Sequence, residues 1–345
     1  MRLAAGQRWR GRGRGEVLLA AALVAAIVVS GPLLDALGQA YWVTALTRAA
    51  LLGVLAITTD LAWGTTGIFT LGQAVFFGIG AYATGLISTK DHVDSLLELV
   101  AIAAAAGAAA GAILGSFLFL GRRRVGALYV GLVTLALTYV LERAANTWDT
   151  LGAANGIPGL PLPTLFGSEL DTGVPLFLVA AALLAVTLAV AVFLRSSQLG
   201  LAMRAVRDDD ERAEFLGYRR SRIQVLVFSL CAALAAAAGS VYGLNEGFVS
   251  PTFLGVALST QALVYVILGG RGTLFGPLLG VLVLEVGGQR VQESLPTEWP
   301  IVIGSVLLLV IVVLPGGLSD LGARLRQLVV GTARTTRSEA SRAGP

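Results

Sequence analysis

Ten apolar runs, each near the length needed to cross a hydrocarbon layer about 30 Å thick, recur along this chain and constrain its fold more than any other feature. A segment inside lipid must satisfy its backbone internally, so runs of this length specify helices. The runs are Val17 to Leu37, Tyr41 to Trp63, Ile68 to Ser88, Leu96 to Leu120, Val125 to Leu141, Val174 to Leu194, Ile223 to Leu244, Thr252 to Leu268, Leu274 to Val291 and Trp299 to Leu314. The eighth and tenth are short, and merging short neighbours in pairs would leave eight. The expected fold class is therefore all-α, a polytopic transmembrane helical bundle of about ten spans (8–10). Hydrophobic residues make up 56% of the chain, which excludes an ordinary soluble domain. The single cysteine, Cys231, and single histidine, His92, exclude an internal disulfide and a His/Cys metal cluster.

Charge orients the bundle. Arginine and lysine gather on the cytoplasmic side of short loops. With the N-terminal arginines inside, ten spans put Arg122 to Arg124, the loop 195–222, Arg271 and the C-terminal arginines on that same side. This accounts for most of the 25 basic residues and places both termini in the cytoplasm. The segments left outside carry Asp91, Asp94, Glu98, Asp149, Glu169 and Asp171 against Lys90 and Arg143. The chain divides into a basic cytoplasmic tail (1–15), a transmembrane domain (16–318) and a tail (319–345) expected to be disordered. Val17 to Ser30 lacks a following small-residue cleavage pattern and reads as a retained helix. The implied location is a bacterial inner (plasma) membrane, crossed many times.

The stretch from Arg195 to Arg222 is the longest charged interruption between two apolar runs. It holds seven arginines, and Asp208, Asp209, Asp210, Glu211 and Glu214. Its middle reads as one amphipathic helix. Leu201, Met203, Ala205, Val206, Ala213, Phe215 and Leu216 form the apolar side, and Gly217 ends it. Such a helix is placed to receive a push from a partner protein. Equally, its arginines could do no more than set topology.

Polar groups within the apolar runs are expensive in lipid and mark candidate pathway positions: Asp60, Gln73, Gln261 and Glu285. Hydrogen bonding between helices is the alternative for each. Gly107, Gly111 and Gly115, spaced four apart, read as a helix-packing face. Gly78-Ile-Gly80-Ala-Tyr-Ala83 matches a dinucleotide fingerprint only formally, since no soluble strand precedes it. The glycines of 269–280 lack the Gly-Lys-Ser/Thr ending of a phosphate loop, so no ATP site is expected in this chain. The connection from Arg143 to Gly173 has the length of a functional loop. Its Trp148, Asn155 and Gly156, followed by Pro158, suggest an outside element of fixed shape that meets a donor protein, with a plain spacer as the alternative.

Taken in order, several motifs resemble one family. They are Asp60 to Gly67; Thr70-Leu-Gly-Gln-Ala74 with Phe76-Phe-Gly78; Asn155-Gly-Ile157; Arg204-Ala205 with Arg207-Asp-Asp209; Gly247-Phe248 with Ser250-Pro251; Gly269-Gly270 with Gly272-Thr273 and Gly276; and Leu314-Pro-Gly-Gly-Leu318. The chain resembles the inner-membrane permease subunit of ABC importers for branched-chain amino acids and urea, the LivM-like type, over roughly residues 51–318. The resemblance implies an ATPase-coupling segment in which Glu211-Arg-Ala213 and Gly217 match the pattern, with Arg204, Arg207 and Asp208 beside it. It also implies a second permease subunit in a heterodimer, two ATP-binding cassette ATPase subunits that bind the ATP, and an extracytoplasmic solute-binding protein. No cofactor is implied in this chain, no nucleic acid, and no enzymatic activity of its own. Gln73 departs from the histidine common there. Asp60 to Gly64, Phe215 to Tyr218, Gly270 to Leu274, and Leu295-Pro296 with Trp299 lean towards the urea branch, so urea or a short amide joins branched-chain amino acids as a solute. A secondary transporter of a small polar solute, with no ATPase partner, is the alternative; it would not need the long charged loop.

Overall fold

The computed structural model describes residues 5–121 and 126–288, and scattered positions between 294 and 319. Arg122 to Arg124, most of the run Trp299 to Leu314, and the tail after Ser319 lie outside the described residues. Each of the first nine apolar runs coincides with a helix. These are α1 (Ala5–Ala36), α2 (Ala40–Asp60), α3 (Gln73–Lys90), α4 (Leu96–Phe119), α5 (Ala127–Thr147), α6 (Val174–Ser196), α9 (Arg220–Glu246), α10 (Val256–Gly269) and α11 (Gly276–Val281). Two further helices, α7 (Gln198–Asp208) and α8 (Asp210–Phe215), occupy the charged loop. α1 starts well inside the stretch assigned above to the basic tail.

Among the described residues, six helices are long and apolar enough to cross a membrane, α1, α2, α4, α5, α6 and α9. α2 continues through a π-helical turn, Leu61–Thr65, and α11 through another, Leu282–Gly287. The eighth and ninth runs differ from a pair of full spans. α10 has 14 residues, a rise of ~21 Å that falls short of the hydrocarbon thickness. Gly270 then adopts a positive φ and Pro277 opens α11, so the two form a tight hairpin. Their backbones touch, because a Cβ at Gly269 would overlap Gly276 O and one at Gly280 would overlap Tyr265 O.

α2 is buried along most of its length and packs against α1, α6, α9, α10 and α11. α9 is the second central helix, flanked by α3 and α4. Small residues allow this: Gly107, Gly111 and Gly115 all turn to α9, and a Cβ at Gly107 would lie 2.6 Å from Ala232 O. Gly80 lies against Ala236 O, so the formal dinucleotide fingerprint is a helix crossing. A hydroxyl pair, Thr84 Oγ1 donating to Ser240 Oγ at 2.6 Å, adds a polar tie between α3 and α9.

Between α2 and α3 the chain runs without helix from Gly67 to Gly72. Irregular backbone at this depth persists only where protein satisfies it. Leu71 N–H donates to Thr134 Oγ1 at 3.0 Å, Gly72 N–H to Thr70 Oγ1 at 3.2 Å, and Ala74 N–H to Ser259 Oγ at 3.3 Å. Thr134 and Ser259 are themselves buried, on α5 and α10. On another face, Glu142 of α5 accepts from Val256 N–H at 3.3 Å and caps the start of α10.

Four short strands lie at the end of the bundle opposite α7 and α8. β1 (Ile157–Pro158) pairs antiparallel with β4 (Phe248–Val249), and β2 (Thr164–Leu165) with β3 (Ser168–Glu169). The amides of Gly159 and Leu160 both donate to Gly247 O at 3.1 Å, and Thr164 N–H donates to Asp94 O at 2.6 Å. Three connections that are distant in sequence are thereby tied together.

Candidate functional site

Polar and charged residues gather in four groups, of which the charged loop is the first. Ser197 caps α7 by accepting from Gly200 N–H at 3.4 Å. Met203, Val206 and Ala202 are buried; Met203 packs with Leu61, Ala62, Leu194, Val227 and Cys231. The helix does not continue through the loop as the apolar pattern suggested. Asp209 leaves helical geometry (φ −160°, ψ 99°), accepts from Arg212 N–H at 3.1 Å and pairs with Arg212 Nε at 2.7 Å, so it starts a second helix. Asp and Asn favour such caps because their short side chains reach the free amides of the first turn.

The break divides the expected apolar side. Met203, Val206 and Ala213 point into the bundle, whereas Leu201, Phe215 and Leu216 face outward, Phe215 at 90% exposure. Gly217 (φ +88°) closes α8: Tyr218 N–H reaches back to Ala213 O at 3.0 Å and Gly217 N–H to Glu214 O at 2.9 Å. That is the reciprocal pair of a glycine-terminated helix, as its position predicts. Exposed Asp208 and Glu211 flank the break. Arg204 and Arg207 turn the other way. Arg204 Nη2 donates to Arg195 O at 3.3 Å, and Arg207 Nη1 donates to Gly64 O.

The second group is a clamp beneath α7. Asp60, 1% exposed, receives Arg195 Nη2 on Oδ2 and Gly272 N–H on Oδ1, both at 2.6 Å. Arg195 Nη1 also donates to Gly272 O at 3.2 Å. Arg271 lies 4.3 Å above the Trp63 ring and donates to Trp63 O at 3.2 Å. Partial burial, then the neighbouring Arg207, push the Arg271 guanidinium below its usual range, and Asp60 opposes them. Asp60 is thus enclosed by the end of α6 and the tip of the α10–α11 hairpin. Its carboxylate is legible in the sequence as a charge inside an apolar run; nothing there marks Arg195, at the edge of the loop, as its partner.

The third group lies farther along the same hairpin. Gln261 Nε2 donates to Glu285 Oε1 at 2.8 Å, and the buried Tyr265 hydroxyl donates to the same oxygen. Two of the four polar candidates therefore meet. Gln73 stands apart: its Nε2 donates to Cys231 O at 3.3 Å, and its Oε1 is buried without a partner among the described residues. A further pair escaped the sequence reading. Arg48 of α2 holds Glu246 of α9 through two bonds of 2.6 Å, and Asn245 Nδ2 adds a third at 3.2 Å. The signal was present, since Arg48 interrupts an apolar run as Asp60 does.

The fourth group is the connection 143–173. Gly156 (φ +68°) abuts Val249 O, where no Cβ fits, and it sets β1 against β4. Asn155 ends a single 3₁₀ turn before it. Trp148, at the end of α5, is 60% exposed, and Phe166, at the tip of the β2–β3 hairpin, is 91% exposed.

With these groups placed, comparison with known proteins supplies the family. A family profile described as branched-chain amino acid transport system / permease component matches residues 41–314. The chain is 29% identical over 308 residues to the high-affinity branched-chain amino acid transport system permease protein LivM of Escherichia coli K12, covering 81% of this chain and 70% of that protein. It is 27% identical to the corresponding LivH of Salmonella typhimurium, covering 79% and 92%, and 25% identical to BraD of Pseudomonas aeruginosa, covering 80% and 94%. No solved structure matches the chain. The profile takes in Asp60 and Arg195, the charged loop, the α10–α11 hairpin and the connection 143–173, and this chain therefore belongs to the family of permease components of branched-chain amino acid transport systems.

Proposed function

We propose that the chain is a membrane-spanning subunit of an ATP-driven importer for branched-chain amino acids, working with separate ATPase subunits. The family match over residues 41–314 carries this reading. The charged loop supports the division of labour. α8 offers Phe215 and Leu216 to a partner, while Arg204 and Arg207 bind α7 back onto the bundle. Membership in a permease family makes the chain a transport subunit, not an enzyme.

In this reading the α7–α8 face is cytoplasmic, both termini lie on that side, and two ATPase subunits bind the ATP and dock at Glu211 to Gly217. A second permease subunit completes the pore, and an extracytoplasmic binding protein delivers solute to the opposite face, where Trp148, Asn155 and Gly156 lie. Gln261 and Glu285 are the preferred path residues because two half-length helices bring them together. Gln73 joins them through its Oε1, which has no partner among the described residues, and Asp60 is given to the clamp. The lean towards urea finds no support in the three relatives above, whose names state branched-chain amino acid transport.

Uptake of radiolabelled leucine into vesicles, with and without co-expressed ATPase and binding protein, tests the proposal. Dependence on both is the expected result. Uptake driven by an ion gradient alone would instead establish a secondary transporter.

A further inference from the structure

The α10–α11 hairpin is tied into a single unit. Its two helices touch through Gly269 and Gly280, and its tip is ordered by Thr273, which donates to Gly270 O at 2.8 Å and accepts from Gly276 N–H at 3.1 Å. Farther from the tip, the same hairpin carries Gln261, Tyr265 and Glu285.

The tip is joined to the charged loop through one carboxylate. Asp60 gives one oxygen to the tip, at Gly272 N–H, and the other to Arg195, from which α7 follows after Ser196 and Ser197. Arg195 closes the triangle by donating to Gly272 O. Arg204, on α7, grips the Arg195 carbonyl, so displacement of α7 pulls on Arg195 directly. Arg207 reaches Gly64 O on the π-helical turn that follows Asp60. Arg195 Nε is buried with no partner among the described residues, so the network is incompletely satisfied.

We infer that Asp60 and Arg195 are positioning residues that transmit movement of α7 to the α10–α11 hairpin, so that the coupling loop drives the half-length helices bearing Glu285 and Gln261. This rests on the importer reading above. A pair that served only to neutralise a buried charge would not need to bind the hairpin tip at both its N–H and its carbonyl. Here the two side chains together occupy both groups of Gly272.

The test uses the complete transporter in proteoliposomes, with leucine and its binding protein, and reads leucine imported per ATP hydrolysed. The double variant Asp60→Asn with Arg195→Gln leaves no unpaired charge but replaces the ion pair. Gly64→Ala keeps every charge and inserts a methyl against the Asp60 carboxylate, 2.8 Å from Gly272 N. Both variants are expected to lower the ratio about tenfold, within the usual span of coupling between sites. If the double variant fails to assemble, Gly64→Ala decides alone, and a wild-type ratio there overturns the inference. ATPase-dependent wild-type uptake with unchanged ratios in the variants would refute this coupling only. Wild-type uptake that needs no ATPase would instead remove the importer reading beneath it.

Discussion

The two ends of the bundle are held by different chemistry. At the α7–α8 end, side chains bind: Asp60, Arg195, Arg204, Arg207 and Arg271 grip one another or a backbone carbonyl. At the opposite end, alongside the Arg48–Glu246 pair and the Glu142 cap on Val256 N–H, backbone binds backbone, through β1 with β4 and Thr164 with Asp94. Long arginines can keep a bond while the groups they join shift, whereas short antiparallel pairs hold one register or none. If the importer reading holds, the first end is the one that transmits force and the second the one that presents a fixed surface.

The largest expected effect comes from removing one side of the buried pair. Arg195→Ala leaves Asp60 uncompensated and should destabilise the protein by about 3–5 kcal/mol, seen as a lowered midpoint in a thermal aggregation assay in detergent. Restoring stability with Asp60→Asn in the same chain would locate the loss in the stranded charge. A wild-type midpoint in Arg195→Ala would mean that water screens Asp60 and that this end is looser than its geometry.

Gly156→Ala attacks the other end. Its positive φ and contact with Val249 O should make the change unfavourable by ~2–3 kcal/mol, released by separating β1 from β4. Limited proteolysis within 148–173 should accelerate, while the α7–α8 end keeps its wild-type digestion. If both ends are cut faster, the two regions are not independent.

Gly217→Leu is milder. Open space surrounds the position, so only the left-handed backbone objects, by about 1–2 kcal/mol. Insertion and midpoint should stay near wild type while receptor-stimulated ATP hydrolysis falls, because the turn presents Phe215 and Leu216. Undiminished stimulation would exclude α8 from docking.

Thr84→Val should have the smallest effect. It deletes the hydroxyl pair with Ser240 at the α3–α9 crossing and should lower the midpoint by the equivalent of ~0.6 kcal/mol. A much larger drop would show that the α3–α9 crossing, more than either end, carries the stability.

Legibility followed the length scale of the physics. Apolar runs declare helices because lipid forces each to close its own backbone bonds, and the glycine spacing of α4 declared a packing face that the structure has. Gly217 was readable for a comparable reason: few residues other than glycine tolerate its φ. The split at Asp209 was less readable, since the apolar pattern of 198–216 fits one helix nearly as well as two, and the capping bond depends on which way the chain turns. α10 and α11 looked like two spans because composition does not distinguish a short buried helix from a membrane-crossing one.

Side-chain partnership is the part that sequence order conceals. Asp60 and Arg195 are separated by 135 residues, Arg48 and Glu246 by 198, and Gln261 and Glu285 by 24 across a turn. The amino-acid sequence by itself determined that this chain is a helical membrane protein, where its charged loop lies, and which charges interrupt its apolar runs, because each follows from local hydrophobicity and local backbone conformation. Only the tertiary structure decided that Asp60 joins the loop to the hairpin and that Glu285 meets Gln261. Those pairings depend on which helices pack side by side, and that is set by shape complementarity among residues far apart in the chain.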